Sequence, residues 1–171
     1  VTARYEHEFS FGKLLLNGQM TWTFTDEIRA FRTFATNDFN GEVYEADFNG
    51  NFDIRFDHED WTFFWNIDVA SRASNDEPGA NSTAGGNLFI WRGTPFAGEF
   101  KQYTEFVATH DASVRYRADD WSLTVGVQNV FDDPPPAVSQ AGAGKVGNSV
   151  AFGGPYDLLG RRGFIEIVKE F

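Results

Sequence analysis

From Thr2 to Phe11 the odd positions Ala3, Tyr5, His7, Phe9 and Phe11 are mainly apolar, and the even positions Thr2, Arg4, Glu6, Glu8 and Ser10 are polar. A period of two marks a strand with one apolar face. Gly12-Lys13 is the expected turn. Leu14, Leu16, Gly18, Met20, Trp22 and Phe24 then oppose Asn17, Gln19, Thr21, Thr23 and Thr25. Further on, Phe48, Phe52, Ile54 and Phe56 alternate with Asp47, Asn49, Asn51, Asp53, Arg55 and Asp57. After a turn at His58-Glu59-Asp60, Trp61, Phe63, Trp65, Ile67 and Val69 alternate with Thr62, Phe64, Asn66 and Asp68. The pattern resumes with Phe106, Ala108, Ala112, Val114 and Tyr116 against Thr109, Asp111, Ser113, Arg115 and Arg117. Asp119-Asp120 turns the chain into Trp121, Leu123, Val125 and Val127 against Ser122, Thr124, Gly126 and Gln128. Counting back from Phe171, the positions Lys169, Ile167, Ile165 and Gly163 form one face of a terminal strand, with Glu170, Val168, Glu166 and Phe164 on the other. No segment of useful length has a helical period, so the expectation is an all-β, antiparallel fold of seven strands.

The connections alternate in length. Those near residues 12, 59 and 119 are two or three residues, whereas 29–45, 71–102 and 132–160 run from roughly 17 to 32. Short turns at one end and long loops at the other are the asymmetry of membrane β-barrels. Loops of that length are uncommon in compact soluble domains.

Composition agrees. Hydrophobic residues make up 42% of the 171 residues and aromatics 17%, yet mean hydropathy is only −0.38. The apolar residues are therefore dispersed singly among polar ones, and no run approaches the roughly 18 residues of a membrane helix. With 25 acidic against 14 basic residues, the net charge of −11 argues against a nucleic-acid partner. There is no cysteine, hence no disulfide scaffold and no thiolate metal site. The opening Val-Thr-Ala-Arg-Tyr-Glu runs straight into a strand pattern, which reads as a mature form or a piece of a longer chain.

Alternation alone does not say which face points where. The aromatics decide it: Trp61 and Trp121 open strands directly after short turns, and Phe11, Phe56, Tyr116 and Phe171 fall at the same level. That arrangement predicts a periplasmic aromatic belt, with the apolar faces toward lipid. Arg4, Glu6, Asp53, Arg55, Asp68, Asp111, Arg115, Arg117 and Glu166 then face a wet lumen. Lys169 falls on the lipid side but beside the periplasmic end, where a lysine costs only about 0–1 kcal/mol and its stem can lie along the bilayer.

Read as barrel strands, the last sixty residues look like a known family. His110-Asp111-Ala112-Ser113-Val114-Arg115-Tyr116, the strand from Trp121, Asn129-Val130-Phe131-Asp132-Asp133-Pro134-Pro135 and Tyr156-Asp157-Leu158-Leu159-Gly160-Arg161 before a Phe-terminated strand resemble the C-terminal end of TonB-dependent outer-membrane receptors. Upstream of about Tyr103 only the alternation supports the likeness. The resemblance implies a transmembrane β-barrel of about 22 strands around a plug domain. This chain would form its C-terminal third, with the plug and the TonB box lying outside it. It implies active import of a scarce nutrient such as a siderophore or oligosaccharide across the bacterial outer membrane, energised by the TonB complex. The implied partners are the rest of the barrel, outer-membrane lipid and the barrel assembly machinery. Gly163, Ile165, Ile167 and Phe171 carry the assembly signal in that reading.

No motif for catalysis or nucleotide binding occurs, and His7, His58 and His110 are far apart on different elements. The expectation is neither an enzyme nor a cofactor protein. Phe89, Trp91 and Arg92, in an otherwise polar loop, are candidate contacts for a small-molecule substrate, against the plainer reading that they pack the loop. Asp76, Glu77, Asp132 and Asp133 are candidate calcium ligands, against a solvated acidic surface. Two other architectures fit the alternation. One is a small closed outer-membrane barrel serving as adhesin or structural protein; the other is a soluble carbohydrate-binding β-sandwich.

Overall fold

The computed structural model describes residues 1–33, 36–43, 45–74, 82–83, 87–90, 95, 98–101, 103–139, 146–147, 150–151 and 156–170, with backbone alone at 37, 82–83, 87–90, 98–100, 146–147 and 150–151. Seven long strands form one antiparallel sheet: β1 (Thr2–Phe9), β2 (Gly12–Trp22), β3 (Phe48–His58), β4 (Trp61–Ala70), β5 (Val107–Arg117), β6 (Trp121–Gln128) and β7 (Arg162–Lys169). Each pairs with the next in sequence, so the sheet is a meander. Its outer strands β1 and β7 each pair on one side only among the described residues, and the sheet is not closed. No helix occurs among those residues.

The registers carry one parity across all seven strands. Arg4 faces Asn17, Asn17 faces Asp53, and Asp53 faces Asn66. Asn66 faces Asp111, Arg115 faces Thr124, and Thr124 faces Glu166. The other parity runs from His7 through Leu14, Phe56, Phe63, Val114 and Val125 to Ile165. Because side chains alternate strictly, this register gathers the mainly polar positions on one face and the apolar ones on the other, with Leu15, Phe64, Phe164 and Val168 as apolar residues of the polar parity.

The first turn differs from expectation. Phe9 pairs with Gly12, so Ser10-Phe11 makes the turn and Gly12 opens β2. Gly12 is there for close approach: a Cβ would stand 2.5 Å from the Asp57 carbonyl oxygen and 2.6 Å from the Phe56 ring. The other short turns are Glu59-Asp60 and Ala118 to Asp120, with Glu59 at φ 50°. The long connections, 23–47, 71–106 and 129–161, all leave from the opposite end. They contain short ladders that the sequence pattern does not announce. Glu27–Ile28 pairs Asn37–Asp38, Ala73–Ser74 pairs Tyr103–Thr104, and Val146–Gly147 pairs Val150–Ala151; Asn87–Ile90 lies between Ser82–Thr83 and Gly98–Lys101.

Among the described residues the buried apolar ones are few, and Val43, Val138 and Tyr156 cluster under these connections against Val107. The sheet itself covers almost nothing. Ile165 is 72% exposed, Ile167 71% and Val125 47%, and among the described residues no second sheet packs on the apolar face.

Candidate functional site

Two rows of rings edge the apolar face. At the short-turn end, Trp61 and Tyr116 are Cα partners with ring centroids 4.9 Å apart, and Tyr116 lies 5.7 Å from Trp121. Phe11, at the tip of its turn, lies 6.0 Å from Phe56 and 5.3 Å from Phe9. His58 is fixed beneath them, its Nδ1–H donating to the Phe11 carbonyl. Lys169 sits opposite Trp121 and turns its ammonium 3.4 Å from Asp120 in the neighbouring turn. At the long-loop end, Trp22 and Phe48 are 4.4 Å apart, and Phe24, Phe106 and Phe131 are exposed at the same edge.

The two histidines between the rows are held by aromatic neighbours. His7 stacks parallel to Tyr5 at 6.3 Å and meets Phe9 edge-on at 4.4 Å, completing a column of rings along β1. His110 accepts a hydrogen bond at Nδ1 from the Trp65 indole N–H at 3.2 Å and meets Phe131 edge-on at 5.0 Å.

On the polar face, Arg4, Glu6, Asp53, Arg55, Asp68, Asp111, Arg115, Arg117 and Glu166 all lie on the same side of the sheet. Glu6 pairs with both Arg4 and Lys13, and Arg55 pairs with Asp57 at 3.0 Å. Asn51 donates to Asp68 at 2.7 Å, and Asn66 donates to Asp53 at 3.0 Å. Phe64 and Phe164 interrupt the polar face at mid-height, with the Phe164 ring lying over Gly126.

Above this face, the two motif segments interlock. Asn129 follows β6 at φ 51° and is fully buried. Its backbone N–H donates to Asp111 at 2.8 Å, its amide NH₂ donates to the Asp133 carbonyl at 2.9 Å and to Asp157 at 3.3 Å, and its side-chain oxygen accepts from the Asp133 N–H at 2.8 Å. The Arg162 guanidinium binds both Asp157 oxygens, at 2.8 and 3.1 Å, and also meets Gln128 and the Gly160 carbonyl. Asp132 accepts from the Arg161 backbone N–H at 2.9 Å, which commits one oxygen of this calcium candidate to loop closure. Burial pushes the Asp157 carboxyl up, but the Arg162 bond, the Leu159 N–H and the Asn129 amide outweigh it and hold the group below the usual carboxylate range. Beside the clasp, Tyr156 donates its hydroxyl to the Val43 carbonyl at 2.7 Å and lies 3.1 Å from the Thr104 hydroxyl, and burial raises its pKa.

Between this clasp and the sheet lies a cavity of about 610 Å³, floored by β2 to β5 and bordered by Tyr156, Asp157 and Arg162. Among the described residues no group of three or more histidines and carboxylates is placed to hold a metal ion. Trp91, Arg92, Asp76, Glu77 and Phe171 lie outside the described residues, as does the side chain of Phe89. The clasp and cavity residues Asn129, Asp157, Arg162, Tyr156 and Gln19 were not singled out as site residues from sequence. Asn129 and Asp157 belong to the two motif segments of the sequence, but their contact spans 28 positions. A scan of protein-family models, a search of curated proteins and a search of solved structures each find no match to the chain.

Proposed function

We propose that this chain is wall and loop of an outer-membrane β-barrel that actively imports a scarce small molecule. In this reading it is the C-terminal third of a TonB-dependent receptor barrel of about 22 strands closed around a plug. The observation that carries the membrane reading is the exposed apolar face with its two aromatic edges. Phe48 and Phe56 are eight residues apart on β3, about 27 Å along a strand; a tilt of about 40° reduces this to roughly 21 Å of height. The ten residues from Phe106 to Tyr116 give about 34 Å and roughly 26 Å of height in the same way. The apolar band of an outer-membrane barrel is about 25 Å tall. A soluble monomer rarely leaves such a continuous apolar surface in water.

The sorted connections agree, with tight turns on the periplasmic side and long loops outside. The import reading rests on the resemblance of the two motif segments to the end of TonB-dependent receptors, and their interlocking gives those residues a shared structural task. The partners are the remaining strands and plug, outer-membrane lipid, the TonB complex and the assembly machinery.

The test is to extract the protein from native outer membrane, weigh it intact, and compare its gel mobility with and without boiling. A heavier species carrying this sequence, with heat-dependent mobility, is expected. A protein recovered from the aqueous fraction without detergent sinks the membrane reading, and a free barrel of this mass alone sinks the receptor reading.

A further inference from the structure

We infer that the cavity beneath the long loops takes a neutral, hydroxyl-rich ligand of the oligosaccharide class, and not an anion. This inference rests on the import reading and names the substrate class of its wall. The cavity holds about 610 Å³, room for a few sugar rings and within the range of ordinary ligand pockets. Its floor presents amides and hydroxyls, Gln19 and Thr21 from β2, Asn49 and Asn51 from β3 and Thr109 from β5, with Gly50 and Val69 giving it apolar surface between them.

Such groups both donate and accept. A vicinal diol needs that combination, because each hydroxyl must give one hydrogen bond and receive another. Several are already oriented: Asn51 is held through its NH₂ by Asp68 at 2.7 Å and Asn49 through its NH₂ by the Ala46 carbonyl at 3.2 Å, which leaves the amide oxygens as acceptors.

The charges narrow the ligand further. Asp68, Asp111 and Asp157 border the cavity against the single guanidinium of Arg162. That guanidinium is spent on Asp157, with both oxygens within 3.1 Å. A cleft lined by one sign of charge repels ligands of the same sign. Among the described residues a ferric chelate with several negative charges would meet carboxylates with no cation at the border left to neutralise it. The other arginines of the polar face, Arg4, Arg55, Arg115 and Arg117, do not border this cavity. A polyamine is disfavoured for a different reason: the two carboxylates that Arg162 leaves, Asp68 and Asp111, already accept from the Asn51 amide and the Asn129 backbone N–H. Among the described residues the only ring at the border is Tyr156, too little for an aromatic cage around a cationic head.

The probe set is an array of neutral oligosaccharides, a ferric tricatecholate and spermidine, each offered to the protein purified in detergent from its native outer membrane with everything that completes its barrel. Retention of at least one neutral oligosaccharide is expected, and Asn51→Ala or Asp68→Ala should each weaken it roughly tenfold. Both variants must keep the heat-dependent mobility of the parent, so that lost binding is not lost folding. Preferential retention of the ferric chelate or of spermidine overturns the inference, as does an array from which no neutral glycan is retained. These results leave the membrane reading intact; absence of the protein from the outer membrane removes that reading and this inference together.

Discussion

Replacing Val125 by arginine separates a lipid-facing sheet from a water-facing one. Val125 lies on the apolar face of β6, with Val114 and Ile165 as its cross-strand partners. It is four residues from Trp121 in the short-turn row, or about 13 Å along the strand. At a tilt of about 40° this is roughly 10 Å of depth, close to the middle of a band about 25 Å tall. An arginine there costs about 2–4 kcal/mol, which is roughly 30- to 1,000-fold in the folding equilibrium. In water the outcome differs. Val125 is already 47% exposed, so an arginine head would simply enter solvent, with a change within about 0.5 kcal/mol. Asn17→Arg is the control for the other face. It points between Arg4 and Asp53, one like and one opposite charge, and should stay within about 1 kcal/mol. The assay is urea unfolding of the complete protein in lipid vesicles. A Val125→Arg protein as stable as its parent, or more soluble without detergent, refutes the lipid-facing assignment.

Asn129→Ala should cost about 2–4 kcal/mol, because it orphans the Asp133 N–H and puts a non-glycine residue without a helping amide at φ 51°; Asn129→Gly keeps the backbone and should recover about half. Limited proteolysis at 129–133 and 156–162 reads both, and equal protection in all three proteins refutes the clasp. The carboxyl of Asp157 is held below its usual range in the folded state. Its contribution is therefore present above the unfolded carboxylate pKa of about 3.9 and disappears as pH falls through the lower folded value. The protection factors of the clasp amides, corrected for the intrinsic pH dependence of exchange, should be flat from about pH 7 to 5 and fall below about 4, with Asp157→Asn removing that acid step; an acid step that persists in the variant assigns it to another group. Gly126→Val should destabilise by about 1–3 kcal/mol, since its Cβ would stand 2.4 Å from the Phe164 ring and 2.9 Å from the Ala112 carbonyl. Adding Phe164→Ala should relieve part of that cost, and strict additivity of the two changes argues against the contact.

The strands were legible because their signal is local. A period of two needs only the chain's own pleat, and a register that keeps one face apolar follows from it. The first turn departs from the local pattern because glycine has two uses: Gly12 resembles a turn residue, yet it is in β2 to let Phe56 pack against the backbone. The short ladders inside the connections were invisible for a different reason. Two-residue pairings such as Ala73–Ser74 with Tyr103–Thr104 have no periodicity of their own. Tertiary bonds sustain them, including the Thr104 hydroxyl that accepts from the Ala73 N–H at 3.2 Å. The clasp was half legible. Its residues stood out as two motifs, but that Asn129 touches Asp157, or that Tyr156 reaches a carbonyl 113 positions away at Val43, is a property of the folded sheet alone.

The free edges of the sheet set a condition on the membrane reading. β1 and β7 have eight residues each and pair on one side only among the described residues. About half the backbone groups of an edge strand point away from its partner, so each edge presents about four N–H and four C=O groups. At a cost of at least about 2 kcal/mol for each group left unpaired in hydrocarbon, one edge forfeits roughly 16 kcal/mol. That exceeds the 5–15 kcal/mol of net stability typical of a folded domain. An open sheet of these seven strands therefore does not persist in a bilayer. Either β1 and β7 meet each other, or each meets a strand outside this chain. Single-chain bacterial barrels have even strand numbers, and an antiparallel meander of seven places β1 and β7 parallel to one another. Direct pairing of the two would break the antiparallel order that the rest of the sheet keeps. In the membrane reading, further strands between them preserve that order.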